Sequence, residues 1–135
     1  MAKSWGEKLM GAKPAHISAM TKSMWGMQAG DRLFIATPVM VRDYMKGIRK
    51  GSSRSIEQMR QDFAKAHKAD ATCPMTASIF ARIAAEAAIA EMEDGKPVAK
   101  ITPFWRLIDQ KSPIAKKLTC GVAFVAKMRK QEGIG

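Results

Sequence analysis

The chain has 135 residues, 47% hydrophobic and 26% charged, with 23 Lys and Arg against 12 Asp and Glu for a formal net charge of +11. That length is one domain's worth, able to bury roughly two-thirds of its unfolded surface, and the composition is far from that of disordered chains. The positive surplus implies a polyanionic partner, with nucleic acid ahead of an anionic membrane surface.

Several other classes drop out. The longest run without a charged side chain is residues 71–81, eleven residues, against the roughly 20 needed to span a bilayer. The opening MAKSWGEKLMG carries an early acid, Glu7, and no apolar signal core, so a cytoplasmic protein is expected, nucleoid-associated if bacterial, with no membrane partner. Cys73 and Cys120 form neither a disulfide framework nor a CxxC pair, and His16 and His67 lie far apart. No metal and no cofactor are expected.

Residues 1–30 hold five of the eleven Met together with Trp5 and Trp25, and keep no long helical period. They read as a Met-rich arm or cap, loosely structured, with one short helix packing over the core. Residues 31–135 read as the folded domain. A short strand spans Arg32 to Ile35. Thr37-Pro38 then supplies an N-cap and a proline at the first helical position. The helix that follows, residues 38–49, buries Val39, Met40, Tyr44 and Ile48, and Gly51 ends it. Ser55 and Gln58 form a capping box opening a second helix, residues 56–67, with Ile56, Met59 and Phe63 inward. Cys73-Pro74 opens a third, residues 74–92, with Ile79, Phe80, Ile83 and Ile89 inward and an Arg82–Glu86 pair outside. Asp94-Gly95-Lys96-Pro97 breaks it. Lys100 to Ile108 reads as extended, Ser112-Pro113 as a turn, and residues 121–131 as a last helix burying Val122, Val125 and Met128 and stopping at Gly133. Two short helices, a longer one and a trailing hairpin-like segment give a fold that is mainly α with a small β wing. That is the order of a winged helix-turn-helix.

The basic residues cluster. Residues 42–68 carry eight Lys and Arg against three acids, and six Lys and Arg lie between Lys111 and Lys130 with no acid. The group Lys46, Arg49, Lys50 and Arg54 surrounds a Gly-Ser-Ser turn whose backbone and hydroxyls can also meet phosphates. Thr72, Thr76 and Ser78 put hydroxyls at the start of the third helix, where the N-terminus favours an anion or a base edge.

IRKGSSRSIEQMRQDFA, CPMTASIFARIAAEAA, ITPFWRLI and CGVAFVAKMRKQEG, taken in order, resemble the C-terminal DNA-binding domain of the O6-alkylguanine-DNA alkyltransferases and alkyltransferase-like proteins. The resemblance covers about residues 36–134. It implies a helix-turn-helix followed by an extended PCHRV-type motif, here matched at Pro103 and Arg106. The acceptor cysteine's position is Phe104 and the activating histidine's is Trp105. Alkyl transfer needs a thiolate made by an adjacent base, so no transfer is expected at this position. The family's nucleotide-rotating Tyr corresponds to Ile56, and its inserting Arg to Pro74, or to Met75 with a register slip of one.

The resulting expectation is non-enzymatic double-stranded DNA binding, linked to DNA repair through the resemblance. Lys46, Arg49, Lys50, Arg54 and Arg60 would contact phosphates. Thr76, Ser78 and Arg82 would face the groove, and Arg106 would brace the wing. Phe104 and Trp105 fit either a stacking surface or the core. Two alternatives stand beside this reading: an RNA- or protein-binding adaptor on the same fold, and a thiol-dependent enzyme using Cys73 at a helix N-terminus. The oligomeric state is left open.

Overall fold

The first element follows from a capping box. Ser4 Oγ accepts from the Glu7 N–H, and the Glu7 carboxylate accepts from the Ser4 N–H, at 3.1 and 3.2 Å. Two orphan donors are satisfied, and α1 runs Trp5–Met10. The computed structural model describes residues 4–134; the arm's Met1, Ala2 and Lys3 lie outside them. Strand β1, His16–Ala19, pairs antiparallel with β2, Arg32–Ile35, with His16 opposite Ile35. The parallel β3, Ala71–Thr72, completes a three-stranded sheet of order β1-β2-β3.

The described part of the arm is therefore ordered, not loose. All four residues of β1 are exposed, and the alternation His-Ile-Ser-Ala is too short to mark a strand by its period. Of the arm's methionines, Met20 and Met27 bury with Leu33 and Cys73 in a small cluster, while Leu9 joins the main core.

Helix α2, Pro38–Lys46, starts as Thr37-Pro38 predicts, with Thr37 Oγ1 accepting from the Met40 N–H at 3.1 Å. It ends earlier than expected, at Gly47, and its deepest residues are Pro38, Val41 and Met45; Val39, Met40 and Tyr44 are half-buried flanks. Helix α3, Ile56–Ala66, opens on the Ser55–Gln58 capping box and buries Met59, Phe63 and Ala64, with Ile56 only half-buried. The Tyr44 hydroxyl donates to Asp62 at 2.6 Å, tying α2 to α3.

Helix α4, Pro74–Glu93, corrects the expected core most clearly. Its inner face is alanine (Ala77, Ala81, Ala84, Ala85, Ala88) with Ile89, whereas Ile79 is 52% exposed and Phe80 and Ile83 are half-buried. Alanine at the contact positions lets α1 and α2 pack closely on α4, and the larger side chains turn outward where there is room. The Arg82–Glu86 pair is not an outer pair either. Glu86 is 1% exposed and accepts from the Thr119 N–H and from the Thr119 hydroxyl at 2.6 Å.

The segment Lys100–Ile108 is not extended. Two single-turn 3-10 helices, Val98–Lys100 and Phe104–Arg106, flank Pro103. Large apolar residues crowd this stretch, and by turning it buries Ile101, Phe104, Trp105, Leu107 and Ile108 together. A strand would send alternate residues to opposite faces. Ser112-Pro113 also does more than turn the chain: Ser112 Oγ caps α5, Pro113–Lys117. Helix α6, Gly121–Gln131, buries Val125, Met128 and Arg129, with Val122 half-buried. The protein is mainly α-helical with one small sheet, and among the described residues that sheet precedes α4 in the chain.

Candidate functional site

The turn at Phe104–Arg106 brings Trp105 and Arg106 against Glu132, the residue that ends α6. Arg106 grips the carboxylate with two bonds, Nε to Oε1 at 2.8 Å and Nη2 to Oε2 at 3.0 Å, and its Nη1 donates to the Ile48 carbonyl at 2.8 Å. Trp105 Nε1 donates to Glu132 Oε2 at 2.9 Å. The Glu132 side chain is 5% exposed. Burial alone would push its carboxyl up, but the bonds from Arg106, Trp105 and the Gly51 N–H outweigh burial and hold it below the ordinary carboxylate value.

This cluster fastens the chain that links α2 to α3. Besides the Ile48 carbonyl, the Gly51 N–H donates to Glu132 Oε1 at 3.4 Å, and the Arg54 N–H donates to the Arg106 carbonyl at 2.9 Å. Gly51 has φ +86°, and a Cβ there would lie 3.3 Å from the Glu132 carbonyl oxygen. The left-handed backbone favours glycine, and a Cβ would also crowd that oxygen. Arg106 braces this turn and not a wing.

On the pinned turn and its edges, Lys46, Arg49, Lys50 and Arg54 are all exposed. None of the four forms an ion pair among the described residues. Four cations held on a fixed backbone and free of counter-charge form a preorganised anion-facing surface. Lys46 and Lys50 also border a cleft of about 510 Å³ above Trp105 and Arg106.

The other four predicted contact residues are placed differently. Arg60 is half-buried and donates through Nε to the Thr72 carbonyl at 3.2 Å, while Thr72 Oγ1 donates to the Arg60 carbonyl. It fastens α3 to β3. Thr76 is half-buried, and its hydroxyl turns back to the Cys73 carbonyl at 3.5 Å. Arg82 donates to the Lys117 carbonyl at 3.3 Å, sits 3.8 Å from Glu86 and lies over the Trp5 ring. Ser78 lines a shallow hollow with Trp5 and Lys8. The residues that do project from this end of α4 are Met75 and Ile79, 60% and 52% exposed.

The positions matched to the alkyltransferase pattern are interior. Pro103 is buried, and Phe104 and Trp105 are 0% and 2% exposed. Both rings pack with Phe124, so of their two possible uses they serve the core. Pro74 is the first residue of α4, and Ile56 borders a small polar hollow with Arg54 and Ser55. Cys73 is buried at 5% among Met20, Met27 and Leu33, and the nearest histidine in sequence, His67, stacks on Phe34 at 4.0 Å. Burial, reinforced by Glu86, pushes the Cys120 thiol up to about 11, which keeps it protonated at neutral pH.

Two acids matter here that sequence reasoning does not pick out as site residues: Glu132 and Glu86. Each has a signal in its setting. Glu132 is the first acid after the basic run from Lys111 to Lys130, and Glu86 interrupts the alanine-rich centre of a helix. Among the described residues no group of three or more His, Cys, Asp or Glu could hold a metal ion, and no helix is long and apolar enough to cross a membrane. Compared with known proteins, the chain matches no protein-family model, no curated protein and no solved structure.

Proposed function

We propose that this protein binds double-stranded DNA without catalysing a reaction, as a degenerate alkyltransferase-like winged-helix domain. In this reading α3 and α4 are the helix-turn-helix pair, and a link to repair rests on the sequence resemblance alone. The observation that carries the proposal is the turn between α2 and α3, with Lys46, Arg49, Lys50 and Arg54 exposed, without an ion-pair partner among the described residues, and fixed from beneath by Arg106 and Glu132. Such cations meet phosphates, which position a protein on the duplex but carry no sequence information. Thr76 and Arg82 are engaged internally, so base readout from α4 is weak and binding is general.

The test is fluorescence anisotropy with a labelled duplex, with and without a single O6-methylguanine, over a range of salt. Equal and salt-steep binding to both duplexes is expected. Changing Arg49, Lys50 and Arg54 to Ala should reduce the salt slope by up to about one unit for each phosphate that is no longer neutralised. An unchanged slope would remove this surface from the reading, and tighter binding to the lesion would replace general binding with damage recognition. Absence of binding near physiological salt would shift the reading to the adaptor, for which exposed Met75 and Ile79 on α4 are the favouring feature.

A further inference from the structure

The cleft beside the basic turn has a construction that phosphate contacts do not use. We infer that it is a binding site for a small amphipathic organic anion, with an apolar body on the cleft floor and an acidic head at Lys46 and Lys50. Its volume, about 510 Å³, falls within the roughly 300–1,000 Å³ typical of small-molecule sites. Half-buried Val98 and exposed Ala99 bring apolar surface to the cleft, and behind them it is backed by the core side chains Ile101, Trp105 and Met128, 5%, 2% and 7% exposed, and by buried Pro103. These last four come from the 98–106 segment and from α6, and Ile101, Trp105 and Met128 belong to the main core. The cleft is therefore largely preformed.

Its charge is one-sided. The ionised lining groups are Lys46, Lys50 and Arg106 against Glu132 alone. Arg106, Trp105 and Gly51 already saturate the Glu132 carboxylate, so the uncompensated charge sits on the two lysines at the rim. An inorganic anion would use the lysines and leave the apolar floor wet. A neutral hydrocarbon would use the floor and leave the lysines idle. An anion with an alkyl or aryl body uses both. Lysine ammonium groups act as point charges without the planar selectivity of a guanidinium, so a carboxylate, a sulfonate or a phosphate monoester satisfies the rim equally. The site does not depend on the DNA reading, although an occupant would compete with a polyanion for the same lysines.

The full chain can be titrated with anilinonaphthalene sulfonate, an aryl sulfonate whose fluorescence rises in apolar surroundings, with no DNA present. Saturable one-to-one binding is expected, displaced at least about tenfold more effectively by hydrocinnamate than by hydrocinnamyl alcohol, which has the same body without the acid. The exposed pair Lys46→Gln and Lys50→Gln should weaken dye binding about tenfold or more with an unchanged far-UV spectrum. Ala99→Trp, which fills the cleft from its exposed rim, should abolish it. Equal competition by acid and alcohol overturns the anionic half of the inference. Dye binding that survives both variants overturns the site, locating the dye instead on the exposed Met75 and Ile79 face. Because DNA is absent, either failure leaves the anisotropy result standing on its own.

Discussion

The turn between α2 and α3 and the cluster beneath it are both arginine-containing and share backbone hydrogen bonds, yet they use charge in opposite ways. On the turn, Arg49 and Arg54 face solvent with no ion-pair partner among the described residues. Beneath it, Arg106 is 15% exposed at its side chain and holds a 5% exposed Glu132 by two parallel bonds. A buried guanidinium must be paired because desolvation is costly, whereas an exposed one adds little to stability and remains available to a ligand. Position relative to solvent, not residue type, separates the structural arginine from the two proposed to meet a ligand. Arg60 and Arg82 fall between these cases: both are half-buried, and their guanidinium groups donate to the Thr72 and Lys117 carbonyls.

Arg106 is the most sensitive of these positions. Arg106→Ala leaves the Glu132 carboxylate buried without its counter-charge, and a loss of about 3–5 kcal/mol is expected in urea denaturation. A loss under about 1 kcal/mol would mean that water replaces the guanidinium and that the cluster does not behave as a buried pair. Next in size is Gly51→Ala, which places a Cβ at φ +86° and 3.3 Å from the Glu132 carbonyl. It should cost about 1–2 kcal/mol and loosen the turn, seen as faster hydrogen exchange of the Arg54 amide.

The pH dependence sharpens the same contrast. The bonds from Arg106, Trp105 and Gly51 hold the Glu132 carboxyl below its ordinary value, so its stabilisation is fully present above that ordinary value and is lost as pH falls through the folded one. Stability measured from neutral to acid pH should therefore fall more steeply below about pH 4.5 for the wild type than for Glu132→Gln. Parallel profiles would show that the carboxylate is not held down by its partners. The smallest effect belongs to the turn. The combined change of Arg49, Lys50 and Arg54 to Ala should move unfolding stability by no more than about 0.5 kcal/mol per site. A larger destabilisation would show that the turn's cations are structural and would remove the contrast with Arg106.

Local chemistry was readable wherever one short segment decides the outcome. Thr37-Pro38 and Ser55–Gln58 open helices because caps need only neighbouring atoms, and β2 runs from Arg32 to Ile35 as its apolar run suggests. The capping pair Ser112-Pro113 carried the same chemistry and opens α5, but its five residues give too short a period to distinguish a helix from a turn. The four cations around Gly51 were also readable, since exposed charge on a Gly-Ser-Ser turn needs no partner to be recognised. The inward direction of α4 was not. Ile79 looks like a core residue until the alanine face is seen to be the one that packs against α1 and α2.

The helix-rich class, the caps, the basic turn and the lack of a thiol at the position matched to the acceptor can be read directly from the residues. Each of these depends on residue chemistry or on contacts within a few positions. The folded core sets the rest: His16–Ala19 is a strand, Lys100–Ile108 turns instead of extending, and Glu132 anchors Arg106 from 26 residues away. Pairing and burial across such separations are set by the whole core at once, because a side chain's worth depends on what else is removed from water beside it.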